Sequence, residues 1–289
     1  IGRKCYSANM FEARNILLLA SLLLLAGGCS EPEDPPIWEN VKIGDLAPAD
    51  GAEPGRTAVQ QRISFDVHIF EVPADNVDKL AAVWQALYIR PVRFLSTRAF
   101  QANHFAVAYG DSRTQGAVND ALAAAGGTRL TRVALILTPG ETQDVAVTPL
   151  RRQQTVTYVS TRNAHDQAVI GPGVLNLRIK AVRTPGTRDQ CSMAAEPAFT
   201  VPMHHAIPQF TERARSKEVQ FAAAGFAVRM APGDIVVLGP SIYISDDTTL
   251  QGLFFTNPEG GPFPNPDAAG LPQRKAAVRV FTIICTSVR

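Results

Sequence analysis

The sequence predicts an α+β fold in two parts, a compact βαββαβ unit over residues 61–138 and a mainly antiparallel β domain over residues 139–289. Three observations carry that expectation. Apolar residues alternate strictly at Ile63, Phe65, Val67 and Ile69, the period of a half-buried strand. They then recur at helical spacing, first at Val77, Leu80, Val83, Trp84 and Leu87 and again at Val118, Ala121, Leu122 and Ala125. Beyond Pro139 the helical period disappears, and Pro, Gly and Asp/Asn turns divide the chain into short apolar runs.

The first strand, Arg62 to Phe70, puts Arg62, Ser64, Asp66 and His68 on the face opposite its apolar residues. Pro73 follows, and Asp75 is the N-cap candidate of the first helix. Short strands near Val92–Leu95 and His104–Tyr109 precede a second helix, for which Ser112 and Gln115 fit a capping box and Gly126-Gly127 a stop. The strand Leu130–Leu137 closes the set. This order is the split βαβ, or ferredoxin-like, arrangement, which by itself names no function. In the second part the expected strands are Gln143–Val147, Thr155–Ser160, Gly173–Val182, Ala198–Pro202, Val219–Met230, Asp234–Leu238, Ser241–Ser245 and Ala277–Val288. Turns at Thr184-Pro185-Gly186 and Ala231-Pro232-Gly233-Asp234 separate them. The segment Asn257–Leu271, rich in Pro and Gly, reads as an exposed loop.

Ahead of the folded part, residues 1–9 precede the first methionine, Met10, and are set aside as upstream sequence. Residues 10–28 have the build of an export signal: Arg14, then an apolar run from Ile16 to Ala26, then small residues. The run falls well short of the roughly 20 residues a helix needs to cross a bilayer. Leu25-Ala26-Gly27-Gly28-Cys29 resembles the lipobox of bacterial lipoproteins. That resemblance implies that Cys29 is lipidated and becomes the first mature residue, and Ser30 after it implies the outer membrane. The alternative is a soluble secreted protein with a coincidental cysteine. Residues 29–60, rich in Pro, Ala, Gly and acidic side chains, read as a flexible linker.

The whole chain has 28 basic and 26 acidic residues. Without Arg3, Lys4, Arg14 and Glu12 of the leader, 25 of each remain, so the mature chain is neutral and nothing electrostatic points to nucleic acid. Two of the four cysteines, Cys191 and Cys285, lie in the β domain. In an oxidising compartment they are disulfide candidates. Such a bridge would stabilise by roughly 4–5 kcal/mol on the chain-entropy model, and two buried thiols are the equal alternative.

The β domain is similar in places to the core domain of secretins, the ring-forming proteins of bacterial secretion systems and pilus machines. Gly173-Val174-Leu175-Asn176-Leu177-Arg178-Ile179-Lys180-Ala181-Val182, Pro232 to Gly239, Leu250-Gln251-Gly252-Leu253-Phe254 and the apolar terminal strand Arg279–Val288 resemble family signatures and occur in the family's order. Pro240 stands where the family has a second glycine. No pair of long membrane-spanning hairpins is evident between Arg183 and Ala198. The resemblance implies envelope or secretion-machinery partners and is compatible with a homo-oligomeric ring.

No catalytic constellation stands out. There is no G-x-S-x-G elbow, phosphate-cradling glycine loop or Cys-x-x-Cys pair. The histidines at 68, 104, 165, 204 and 205 lack ligand spacing, and adjacent His204-His205 point to opposite sides of an extended chain. Asp246-Asp247-Thr248-Thr249 reads as an acidic turn ahead of a calcium site. Ser160, His104 and His165 with Asp166 become a hydrolytic site only if folding assembles them. The expectation is therefore a non-enzymatic, lipid-anchored cell-envelope protein facing the periplasm, without cofactor or metal, that acts as a scaffold or subunit of a secretion or surface-assembly apparatus through its sheet edges. The rival is a ligand-binding lipoprotein or hydrolase with its site between the two domains.

Overall fold

Strand β1 (Ile63–Pro73) runs between a strand from its own half of the sequence, β4 (Thr128–Leu137), and the last strand of the chain, β14 (Gln273–Val288). This arrangement is seen in a computed structural model that describes residues 61–187, 189–201, 217–263 and 272–289. The first sheet has the order β3 (Phe105–Gly110), β12 (Ile235–Pro240), β14, β1, β4, with β13 (Thr256–Phe263) also paired to β14. All of these pairings are antiparallel. The second sheet has the order β2 (Arg93–Phe94), β11 (Phe226–Met230), β9 (Cys191–Thr200), β8 (Gly173–Arg183), β5 (Thr142–Leu150), with β10 (Val219–Gln220) on β9. A separate hairpin joins β6 (Gln154–Val159) to β7 (His165–Ile170).

The alternation of each strand decides how the sheets stack. From the first sheet Ile63, Phe65, Val67, Ile69, Val236, Phe281, Ile283 and Cys285 point inward. They meet Val145, Leu175, Leu177, Ile179, Cys191, Met193, Val228 and Met230 of the second in one core. Each fully buried large side chain of this kind is worth about 1.5–3 kcal/mol over exposure. Phe105, Phe254, Phe255 and Phe281 pack as a tilted and edge-on aromatic cluster at one end. It anchors the short helix α4 (Leu250–Phe255), all six of whose residues are buried.

The other face of the first sheet is covered by helices. A 3-10 segment, Ala74–Leu80, leads into α1 (Ala81–Gln85), and with α3 (Gln115–Ala124) it packs Leu80, Val83, Val118 and Leu122 on Ile235, Val237, Val280 and Ile284. Helix α2 (Thr97–Ala102) sits elsewhere, capped by Ser96, whose hydroxyl accepts from the Ala99 N–H at 3.2 Å. Among the described residues no helix is long and apolar enough to cross a membrane.

The class is therefore mainly antiparallel β with a few helices, and the ferredoxin-like arrangement is not what forms. Strands β12 and β14 insert between β3 and β1, so residues 61–138 close no sheet of their own. The expected boundary at 139 separates nothing, because residues 59–289 form one compact unit. Local periodicity was right about strand and helix but silent about neighbours, which nonlocal pairing decides. Finer expectations shift too. Asp75 lies inside a 3-10 turn that begins after Pro73, and Thr114, without a side-chain cap, replaces the Ser112 capping box at α3. Residues 257–263 of the expected loop belong to strand β13, while Ser241–Ser245 is not a strand. The upstream residues, the leader, Cys29, the linker and His204-His205 lie outside the described residues.

Candidate functional site

An open cleft of about 1070 Å³ lies on the outer face of the second sheet. Its floor follows from alternation. On β9, Met193 and Ala195 face the core, which leaves Ser192, Ala194 and Glu196 outward, and on β11 Ala227 also faces out. Small side chains there hollow the sheet surface, and Phe94, Leu95 and Gln143 stand around it.

Across the floor runs a row of charge. Asp144 of β5, Arg178 of β8 and Glu196 of β9 are register partners on three successive strands. The Arg178 guanidinium donates to both Asp144 carboxylate oxygens at 2.8 Å and forms a further ion pair with Glu218. Hydrogen bonding to Asp144 leads the causes that hold Arg178 protonated beyond its ordinary range. Burial raises the Glu196 carboxyl, against the attraction of Arg178. With two carboxylates on Arg178, its charge is already matched within the protein. No histidine or cysteine lines it.

The second candidate is the outer edge of the first sheet. Among the described residues β4 has a strand partner on one side only, and Leu130 and Ile136 on it are each 57% exposed. The Gln143 side-chain amide donates to the Ile136 carbonyl at 3.2 Å and covers one end. On the face beside this edge, Arg132 pairs with Asp66. His68 lies opposite Arg132 and Thr282 in register, and partial burial, then Arg129, lowers its pKa. An unpaired row of backbone groups flanked by exposed apolar side chains is the geometry that accepts another strand.

Among the described residues, no side-chain hydrogen bond joins the residues weighed for hydrolysis to one another. Ser160 lies in the β6–β7 turn, where its hydroxyl donates to the Ala164 carbonyl at 3.3 Å. His165 begins β7 opposite Val159 and is exposed. His104 occupies a left-handed turn position, φ 58°, and its carbonyl accepts from the Ser241 N–H. Asp246 accepts from the Thr248 amide and hydroxyl at 2.8 and 2.7 Å, which pulls its pKa down and builds the turn before α4. Among the described residues no group of three metal-ligating side chains converges.

Cys191 of the second sheet and Cys285 of the first are free, fully buried thiols of the same core. The segments with secretin-like sequence become β8, the turn and strand of β12, helix α4 and the last part of β14. In the turn, Gly233 has φ 94° and the Asp234 N–H donates to the Ala231 carbonyl, so a glycine is required there. Gly252 of α4 packs against the Asp246 carbonyl with no room for a Cβ.

No protein-family model matches the sequence, and no characterised protein matches it. Among solved structures, the chain has a weak likeness to the Salmonella SPI-1 type III secretion injectisome secretin InvG, at TM-score 0.24 and 8% identity over 79% of this chain and 65% of that one. A second structure, of the basal body proteins InvG, PrgH and PrgK, gives the same score and identity over 46% of that chain. A superposition at that level does not establish a shared fold.

Proposed function

We propose that the chain is a non-enzymatic, lipid-anchored protein of the cell envelope that works as a scaffold or subunit of a secretion or surface-assembly apparatus. The observation that carries this reading is the edge of β4, ten residues long with Leu130 and Ile136 exposed, a surface suited to adding a strand from a partner or a second copy. The lipobox-like Cys29 supplies the anchor, to the outer membrane with the folded part facing the periplasm. Purification of the full lipidated chain from membranes, with cross-linking and mass spectrometry, tests it. Recovery of envelope proteins, or of a homo-oligomer, is expected. A chain that stays monomeric at high concentration, captures no envelope protein and incorporates no labelled palmitate would overturn the proposal. A ligand-binding lipoprotein is the second reading, favoured by the cleft over the second sheet. Its mark would be a small molecule that co-purifies and is lost on substituting Arg178.

A further inference from the structure

Cys191 and Cys285 come from different sheets and are 94 positions apart in sequence, yet both side chains enter the same buried core. Each is held from both sides. Cys191 is paired with Met230 of β11 and Arg183 of β8. Cys285 is paired with Phe65 of β1, its N–H donates to the Asp234 carbonyl at 3.0 Å, and its carbonyl accepts from the Gly233 N–H at 2.7 Å. Neither thiol has any exposure. Two strands thus send their thiols into the one layer between the sheets from opposite sides, and a disulfide needs side chains that approach from facing elements.

We propose that Cys191 and Cys285 are a covalent modification site, oxidised to a single intramolecular disulfide that staples the two sheets through the middle of the core. The oxidant is an external disulfide, of a small thiol or of a thiol–disulfide oxidoreductase. One cysteine thiolate attacks it and releases one external thiol, and the other cysteine thiolate then attacks the mixed disulfide, forming the Sγ–Sγ bond and releasing the second. Two electrons pass to the external disulfide, and the two cysteine protons end on the released thiols. Burial dictates the order of events. The Cys285 thiol, pushed up by its hydrogen bond to Cys191 and by burial, is a poor nucleophile once the sheets have closed, so the bond forms while the chain is folding.

The test is to refold the reduced, denatured full chain in oxidised and reduced glutathione, block free thiols with iodoacetamide in denaturant, and map peptides without reduction. The expected result is one linked peptide pair containing Cys191 and Cys285, with loss of both alkylated forms. The urea midpoint of the oxidised chain should fall on adding reductant, and those of Cys191→Ser and Cys285→Ser should not move. Alkylation of both cysteines in refolded protein, or their linkage to Cys5, Cys29 or glutathione, overturns the proposal, and the map decides even if a serine variant does not fold. No membrane or partner is involved, so this result is independent of the scaffold reading.

Discussion

Glu71 and Arg279 face each other across the β1–β14 seam as register partners, 3.6 Å apart and almost wholly out of water. The Asn257 side-chain amide donates to the same Glu71 oxygen at 2.8 Å. From the other end of Arg279, Nη1 donates to the Thr148 hydroxyl at 2.7 Å, which donates in turn to the Leu253 carbonyl at 2.9 Å. One ion pair in this way ties β1, β14, β13, β5 and α4 together across both sheets. Burial lowers the Arg279 pKa against the pull of Glu71, so the two charges depend on each other.

Removing one partner leaves an uncompensated charge in the interior. Glu71→Ala or Arg279→Ala should each cost about 3–5 kcal/mol. The double variant Glu71→Met with Arg279→Met should lose less than the sum of the single losses, as measured by urea denaturation. Strictly additive losses would mean the pair does not act as a unit.

Asn103, after α2, substitutes for a strand neighbour. Its Nδ2 donates to the Val159 carbonyl at 2.7 Å and to the Ala99 carbonyl at 2.9 Å, and its Oδ1 accepts from the Val159 N–H at 2.8 Å. Asn103→Leu should strand the buried backbone groups of Val159 at about 1–3 kcal/mol each. Amide exchange at Val159 should rise with it. Unchanged exchange there would show that another group or water takes over.

Glu196 gives a pH signature. Burial keeps its folded carboxyl above the ordinary 4.5, so the folded state binds more protons than the unfolded one between 4.5 and the raised value. Stability from this group is full below 4.5 and is lost as pH climbs through the folded pKa. Glu196→Gln should flatten that decline and leave the protein more stable at neutral pH, read from urea midpoints across pH. A less stable variant at neutral pH would mean that Glu196 serves mainly as a partner of Arg178.

If β4 is the contact edge, charge on it should block association without unfolding the chain. Leu130→Lys with Ile136→Lys, both at exposed positions, should weaken partner binding or self-association by about tenfold, equivalent to about 1.4 kcal/mol. The thermal midpoint should stay put. Undiminished association by analytical ultracentrifugation and pull-down would remove β4 from consideration.

The parts of this fold legible in the sequence are those written in short-range periodicity. Ile63, Phe65, Val67 and Ile69 are all buried as their alternation requires, and Leu80, Val83, Val118 and Leu122 form the helical face that covers the first sheet. Strand β7 and residues 191–197 of β9 carry no readable strand signal, because His165-Asp166-Gln167 and Ala194-Ala195-Glu196-Pro197 lack β-branched character. Helix α4 was overlooked inside a β-rich stretch, although Thr249 before Leu250 is a readable cap. At the candidate surfaces, Asp144, Arg178 and Glu196 are far apart in sequence, and strand register alone lines them up. Glu71 has one readable signal, a lone acid on an apolar strand, but its partner lies 208 positions later.

The adjacency of β1 and β14 also sets a timetable. A polypeptide delivered from its N-terminal end, by a ribosome or through a pore, can zip β1 to β4 early, but the opposite flank of β1 stays bare until residues 273–288 arrive. Such late closure makes for slow, all-at-once maturation. It also prolongs the interval in which the chain is pliable enough to be threaded and sticky enough to need a chaperone.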